Sequence, residues 1–492
     1  MSGLLTRRRA GVLLHPTSLH SPYGAGDLGH AAYRFVEFLS AAGFSVWQVL
    51  PLGPTHRNLS PYDSPSAFAG NPALISLDWL RDRALLDGAL LAALRERRTD
   101  RAAVLAVAAR RFAARLREDA ALEVDLAAFC ERHAAWLPDY ALFVALSEAN
   151  GGAPWFAWEP PLRAREPAAL EAARRRHGER ILAVTFEQYV FERQWQELSA
   201  YARAAGVHFF GDVPIFVAHN SADVWAAQSL FRLEADGSLA VETGVPPDYF
   251  SAEGQRWGNP HYDWQAMARD GFAWWRQRIA VQRTRAELIR IDHFRGFAAC
   301  WEIPREAATA ASGQWVPAPG DALLPALVEA AGEGALVAEN LGIITDDVEA
   351  LRARHGLPGM RVIQFGFDGD PANPHLPHNH VRETLVYTGT HDNDTGLGWF
   401  QSLEPSVQQQ VLGYLGWPGE AMPRPLLRAA LASVATLAIL PMQDLLGLDG
   451  RARMNRPGLT DGNWCWQLDG ERPDEALVAE LRSLLGLYGR LP

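Results

Sequence analysis

Three acidic residues stand at the ends of short apolar, strand-like runs. Leu288-Ile-Arg-Ile leads into Asp292, and Ala335-Leu-Val-Ala leads into Glu339. Leu385-Val-Tyr-Thr-Gly-Thr-His leads into Asp392, with Asp394 two residues further on. A fourth run, His208-Phe-Phe-Gly, ends the same way on Asp212. In a parallel α/β barrel the reacting groups sit at the C-terminal ends of the strands. Carboxylates gathered at one such face are what cleavage of a glycosidic bond requires, one to attack or stabilise and one to move a proton.

The neighbours of each acid suggest a division of labour. Arg290 and Asp292 lie two apart on one strand and share a face. A guanidinium beside Asp292 is expected to lower its pKa and keep it ionised, as a nucleophile must be. Glu339 follows Leu336, Val337 and Ala338 and precedes the neutral Asn340. That apolar setting is expected to raise its pKa, so that it can donate a proton to a leaving oxygen. A separation of roughly 5–5.5 Å between the two carboxyl groups would give retention through a glycosyl-enzyme intermediate. His391 and Asp392 are expected to hold sugar hydroxyls and stabilise positive charge on the ring, while Asp394 caps the next helix.

Eight apolar runs can position these groups: Gly11–Leu14, Ser45–Leu50, His208–Pro214, Leu288–His293, Leu336–Glu339, Arg361–Phe365, Thr384–Tyr387 and Thr436–Pro441. Helix-like segments separate most of them, which predicts a (β/α)8 TIM barrel spanning residues 1–492 as one catalytic unit. Two connections are too long for simple crossovers. Residues 53–207 are expected to form a large, mainly helical insertion between strands 2 and 3, since Leu105, Ala108, Phe112 and Leu116 recur at helical spacing. Residues 215–287 are expected to form a second insertion between strands 3 and 4. Its Pro- and Gly-rich stretch 244–260 carries the adjacent aromatics Tyr249 and Phe250 and suits a substrate loop. The short tail after strand 8 leaves no room for a C-terminal β-domain.

Composition excludes several alternatives. A net charge of −11 argues against nucleic acid or an anionic membrane as partner. The chain has no lysine, so a Schiff-base lysine, a pyridoxal-phosphate anchor and a phosphate-loop lysine are all ruled out. Cys130, Cys300 and Cys465 suit neither a disulfide framework nor a zinc site, and a reducing cytoplasmic setting is expected. Asp392-Asn-Asp394 looks like the start of a calcium loop, but the Gly and Glu of an EF-hand do not follow. No metal and no cofactor are expected. Of seventeen tryptophans, Trp155, Trp158, Trp257, Trp464 and Trp466 fall in polar or Gly-rich stretches, where an indole face could stack on a pyranose.

Several motifs together resemble the amylomaltases, the 4-α-glucanotransferases of glycoside hydrolase family 77. They include His15-Pro-Thr-Ser-Leu19, Trp47-Gln-Val-Leu-Pro-Leu52, Ser60-Pro-Tyr62 through Asn71-Pro72, Gly211-Asp-Val-Pro214, Pro247–Pro260, Arg290-Ile-Asp-His-Phe-Arg-Gly296, Ala338-Glu-Asn-Leu-Gly342 and Thr390-His-Asp-Asn-Asp-Thr395. The resemblance covers nearly the whole chain. It implies Asp292 as nucleophile, Glu339 as general acid/base and Asp392 as the transition-state-stabilising carboxylate. It places Arg290, Asp212, His391 and Tyr62 around the bound sugar, and Tyr249 and Phe250 on an acceptor-side loop. Asn455, in Asn455-Arg-Pro457, borders the cleft, and Gln255, Trp257 and Asn463 complete the expected substrate contacts. The implied partners are α-1,4-glucan donors and acceptors such as maltooligosaccharides and amylose. The alternative is an α-1,4-glucan hydrolase of the α-amylase clan. It is disfavoured by Val-Pro-Ile-Phe after Asp212 and by the short tail. A local departure from many amylomaltases is Ala298-Ala299-Cys300 before Trp301, where an aromatic is often found. A non-catalytic glucan-binding barrel fits poorly with an intact acidic set.

Overall fold

The computed structural model describes residues 3–247, 253–416, 419–459, 461–470 and 474–492. Its twelve strands, in chain order, are β1 (Arg9–Leu13), β2 (Val46–Gln48), β3 (His208–Val213), β4 (Val241–Val245), β5 (Gln255–Pro260) and β6 (Leu288–Ile291). They continue as β7 (Ala299–Pro304), β8 (Gln314–Pro317), β9 (Leu336–Ala338), β10 (Gly359–Val362), β11 (Thr384–Tyr387) and β12 (Leu437–Pro441). Eight of them form one parallel sheet in the order β10-β11-β12-β1-β2-β3-β6-β9. These are the eight expected runs, with ends that differ by no more than three residues and with Thr384–Tyr387 matched at both ends.

The two edge strands meet through one backbone bond and one side chain. Ala338 N–H donates to the carbonyl of Pro358 at 2.9 Å. Next to it, Met360 N–H donates to Asn340 Oδ1 at 2.7 Å. A Cβ on Gly359 would lie 2.7 Å from that same oxygen, so only glycine allows Asn340 into the seam. The residue that follows Glu339 thus completes the barrel, and the position of the acid is fixed by the closure itself.

Inside the barrel, Leu13, Val46, Phe210, Leu288, Val337, Met360, Val362, Leu385, Tyr387, Leu437 and Ile439 pack as one apolar cluster, with Leu4 and Leu5 among them. Side chains alternate along a strand, so the residues two positions beyond Phe210, Leu288 and Val337 also face inward. Those residues are Asp212, Arg290 and Glu339. A floor of apolar aliphatic and aromatic side chains therefore supports a charged layer one step above it.

The stretch between β2 and β3 carries eight α-helices among its described residues, ending in the 27-residue helix Gly178–Ala204. Asp87, Asp100 and Asp119 each accept a backbone N–H at a helix start, which satisfies donors that would otherwise be orphaned. Helix Arg101–Leu116 buries Val104, Leu105, Ala108, Ala109 and Phe112 along one stripe. Trp155 and Trp158 belong to the core here and are 0% and 3% exposed. Their indole N–H groups are taken by His219 O and Ala153 O, so they do not line a groove.

A second sheet was not expected from the sequence. β4, β5, β7 and β8 form an antiparallel four-stranded sheet in the order β5-β4-β7-β8. Half of it comes from 241–260, and the other half follows β6. The segment 215–287 is therefore completed by a hairpin, Ala299–Pro317, that lies outside it.

Candidate active site

Arg290 is the centre of the charged layer and is only 4% exposed. Its Nε donates to Asp212 Oδ2 at 3.0 Å, and its Nη2 donates to Asp292 Oδ1 at 2.6 Å. Tyr62, from the loop after β2, donates its hydroxyl to Asp212 Oδ2 at 2.7 Å and accepts from Arg290 Nη2 at 3.3 Å. A buried cation with partners on several sides is held in one orientation, and it holds them in turn. Burial, followed by the charge on Asp212, pushes the Tyr62 phenol well above its ordinary value, so Tyr62 keeps its proton.

Asp292 and Glu339 are locked together through the backbone. Glu339 N–H donates to Ile291 O at 3.0 Å, and Phe294 N–H donates to Glu339 O at 3.1 Å. The Glu339 carboxyl itself accepts from His293 N at 2.7 Å and from Leu341 N at 2.7 Å. His293 adopts φ 52°, in the left-handed region, which turns the chain sharply after Asp292 and aims its own N–H at Glu339. A non-glycine residue in that region is strained, and such strain collects where geometry matters most.

The electrostatics correct one expectation. Burial raises the pKa of Asp292 well above the usual carboxylate range; Arg290 opposes this, while Asp212, Glu339 and Asp392 add to it. Arg290 therefore moderates a rise and does not produce a net lowering. Burial also raises Glu339, again against Arg290 and the two N–H donors. The two acids titrate as a pair. The charge-assisted bond from Arg290 to Asp292, at 2.6 Å, favours the ionised form of Asp292 against burial, and the two backbone N–H donors act in the same direction on Glu339.

On the third side, His391 Nε2 lies 3.3 Å from Asp392 Oδ2, and Asn455 Nδ2 donates to Asp392 Oδ1 at 2.6 Å. Arg453 donates to the backbone carbonyl of Asp392 at 2.5 Å. Burial lowers the His391 pKa, so the ring is neutral near pH 7. Its ring stacks on Tyr62 at 5.1 Å and 13° between planes. Trp464 leans on both, 5.9 Å from Tyr62 and 5.8 Å from His391, with φ 64°. Tyr62, His391 and Trp464 thus form an aromatic wall beside the acids. Trp257 reaches the site from β5, edge-on to His293 at 4.8 Å. Gln255, two residues before it, receives the Trp257 indole N–H at 3.3 Å.

Other expected residues lie differently. Asn463 is buried, accepts from Arg456 N and donates to Arg456 O and Leu459 O, so its amide is taken up by the backbone at those two residues. Asp394 accepts from Thr395 N, and the N-cap of the helix that starts at Gly396 is Thr395. Tyr249 and Phe250 lie outside the described residues. Among the described residues, no group of three His, Cys, Asp or Glu side chains could hold a metal ion. Sequence reasoning missed Asp444, which accepts from Thr388 Oγ1 and Gly396 N, and Gln364, which donates to the carbonyl of Asp394. Neither follows an apolar run that ends on an acid, which was the signal used.

A parallel barrel with two carboxylates at neighbouring strand ends, one held by a guanidinium and one cradled by N–H groups, has the arrangement of an enzyme that acts on glycosidic bonds. The chain belongs to the 4-α-glucanotransferase family of glycoside hydrolase family 77, whose family model matches residues 14–472. It is 48% identical to a 4-α-glucanotransferase of Thermus thermophilus over 98% of this chain and 99% of that one. Identity to the enzyme of the same name from a Synechocystis strain is 46%, over 99% of each chain. Among solved structures it is similar to the amylomaltase from Streptococcus agalactiae in complex with acarbose. That match has a TM-score of 0.93 and 36% identity over 99% of this chain and 100% of that one.

Proposed function

We propose that the protein is a 4-α-glucanotransferase that moves α-1,4-glucan segments between maltodextrins by retaining double displacement. The observation that carries this reading is the linked pair of acids, with Asp292 on Arg290 and Glu339 held across the adjoining strand end. Arg290 occupies Oδ1 of Asp292, and the second oxygen attacks C1 of the donor sugar. Glu339 gives its proton to the departing O4, the C1–O4 bond breaks, and a glycosyl ester forms on Asp292. Glu339, now ionised, takes the proton from the 4-hydroxyl of an incoming glucan. That oxygen attacks C1, displaces Asp292 and restores the starting α-1,4 linkage. Asp392 and the neutral His391 hold the sugar hydroxyls and stabilise charge on the ring.

Transfer exceeds hydrolysis when an acceptor sugar reaches the intermediate before water does. The aromatic wall of Tyr62 and Trp464, and Trp257 beside His293, supply stacking faces for donor and acceptor rings. Tyr249 and Phe250 belong to the loop expected on the acceptor side. Among the described residues no helix is long and apolar enough to cross a membrane. A cytoplasmic location is part of the same reading and rests on three cysteines that form no disulfide.

Incubation with maltotriose as sole substrate tests the activity. Longer oligomers plus glucose, with no growth in total reducing ends, are the expected products. A steady rise in reducing ends would mean hydrolysis and would overturn the assignment in favour of an α-glucan hydrolase.

A further inference from the structure

The loop that carries His391 and Asp392 leaves β11 after Tyr387 and enters the next helix at Gly396. Both of its ends converge on one carboxylate. Thr388 Oγ1–H donates to Asp444 Oδ2 at 2.5 Å, and Gly396 N–H donates to Asp444 Oδ1 at 2.6 Å. Asp444 stands just past β12, on the turn of helix Met442–Leu445, and belongs to the neighbouring strand unit. Asp444 is 1% exposed and Thr388 is 0%, so water does not compete for either bond. A Cβ at Gly396 would stand 3.0 Å from Pro423 Cβ and 3.1 Å from Leu426 Cδ1. A side chain there would push the loop end away from Asp444.

The neighbouring residue extends the brace. Gln443 Nε2 donates to Ala452 O at 3.2 Å, at the head of the segment whose Arg453 donates to the Asp392 carbonyl. From the opposite strand unit, Gln364 Nε2 donates to Asp394 O at 2.9 Å. The Asp392 side chain is itself 48% exposed, so packing does little to place it. Its position depends on the loop that carries it, and a misplacement of about 1 Å at a reacting centre can cost about 100-fold in rate.

We propose that Asp444 is a positioning residue for the reaction. By tying both ends of loop 388–396 to the exit of β12, it sets His391 and Asp392 against the donor sugar. It touches no substrate. The inference rests on the role proposed above for Asp392.

The test is a double-mutant cycle on maltotriose disproportionation, with kcat and KM measured for Asp444→Ala, Asp392→Asn and the double variant. A residue acting through Asp392 is non-additive with it. Asp444→Ala is expected to lower kcat by about 10- to 100-fold with a smaller effect on KM. In the Asp392→Asn background it is expected to cost less than about 3-fold. Asp444→Asn should recover most of the rate, because its carbonyl can accept from Gly396 while its NH2 donates to the Thr388 oxygen. Equal losses in both backgrounds would overturn the proposal and leave Asp444 a purely structural residue. An Asp392→Asn variant with full activity would instead overturn the role of Asp392 itself. If Asp444→Ala fails to fold, Thr388→Val removes one of the two bonds and enters the same cycle with the same criteria.

Discussion

Replacing Arg290 by methionine removes the one cation that Asp212, Asp292 and Tyr62 share, while keeping much of its volume. The bond to Asp292 is 2.6 Å long in a site where Arg290 is 4% exposed, so solvent screens it little. An opposite charge in such contact typically lowers a carboxyl pKa by about 1–3 units. Burial already raises Asp292, and losing Arg290 raises it by about that much again. Each unit makes the ionised nucleophile about tenfold scarcer at a pH below the new value. The expected outcome is a loss of about 10- to 1000-fold in kcat/KM near neutrality, recovered in part as pH rises. In the pH profile of kcat/KM for glucose release from maltotriose, the acid-side limb should move to higher pH. Stability should fall by about 3–5 kcal/mol as well, since the buried Asp212 and the partly buried Asp292 lose their shared partner. At Asp292 the penalty is full above its raised folded-state pKa and fades as pH falls from there toward the ordinary carboxylate range near roughly 4. A uniform drop in rate with the acid limb in place would refute the reasoning, because it would show that Arg290 does not set the charge on Asp292.

Glu339→Gln should lower kcat on maltotriose by about 100- to 10,000-fold, but should cost far less on α-maltosyl fluoride, whose leaving group needs no proton; parallel assays on the two donors check this. Asn455→Ala removes the 2.6 Å donor to Asp392 and is expected to lower kcat/KM by about 5- to 20-fold with little change in melting temperature. Gly11→Ala places a Cβ 2.7 Å from Ile439 Cδ1 and Val46 Cβ inside the barrel, so thermal or urea unfolding should show a loss of about 1–3 kcal/mol.

The barrel was legible because each of its strands is a short apolar run that ends where polarity begins. Leu288–Ile291 and Leu336–Ala338 are buried throughout, and their sequences read as such. The antiparallel sheet was not legible. β8 reads Gln-Trp-Val-Pro, with both end residues exposed, and β4 has two adjacent buried residues in place of an alternating face. Neither gives the period that marks a half-buried strand. Among the site residues, Asp292, Glu339, Asp392, Asp212, Arg290 and His391 converge, since each sits on or just past a strand end, and Tyr62 joins them from the loop after β2. The charge balance at Asp292 was misread because its near neighbours in sequence reveal Arg290 but neither how deeply the fold desolvates the carboxyl nor, second to that, which carboxylates arrive from other strands. Trp155 and Trp158 were misplaced for a related reason: a polar stretch around an indole does not say what the rest of the chain folds over it.

The central claim is a covalent glycosyl ester on Asp292. The direct measurement uses the Glu339→Gln variant with α-maltosyl fluoride, rapid acid quench, proteolysis and mass spectrometry of the peptides. A maltosyl adduct on the peptide carrying Asp292, absent when Asp292 is also changed to Asn, is the expected result. An adduct on the peptide carrying Asp392, or fluoride release with no adduct on any peptide, would contradict the account.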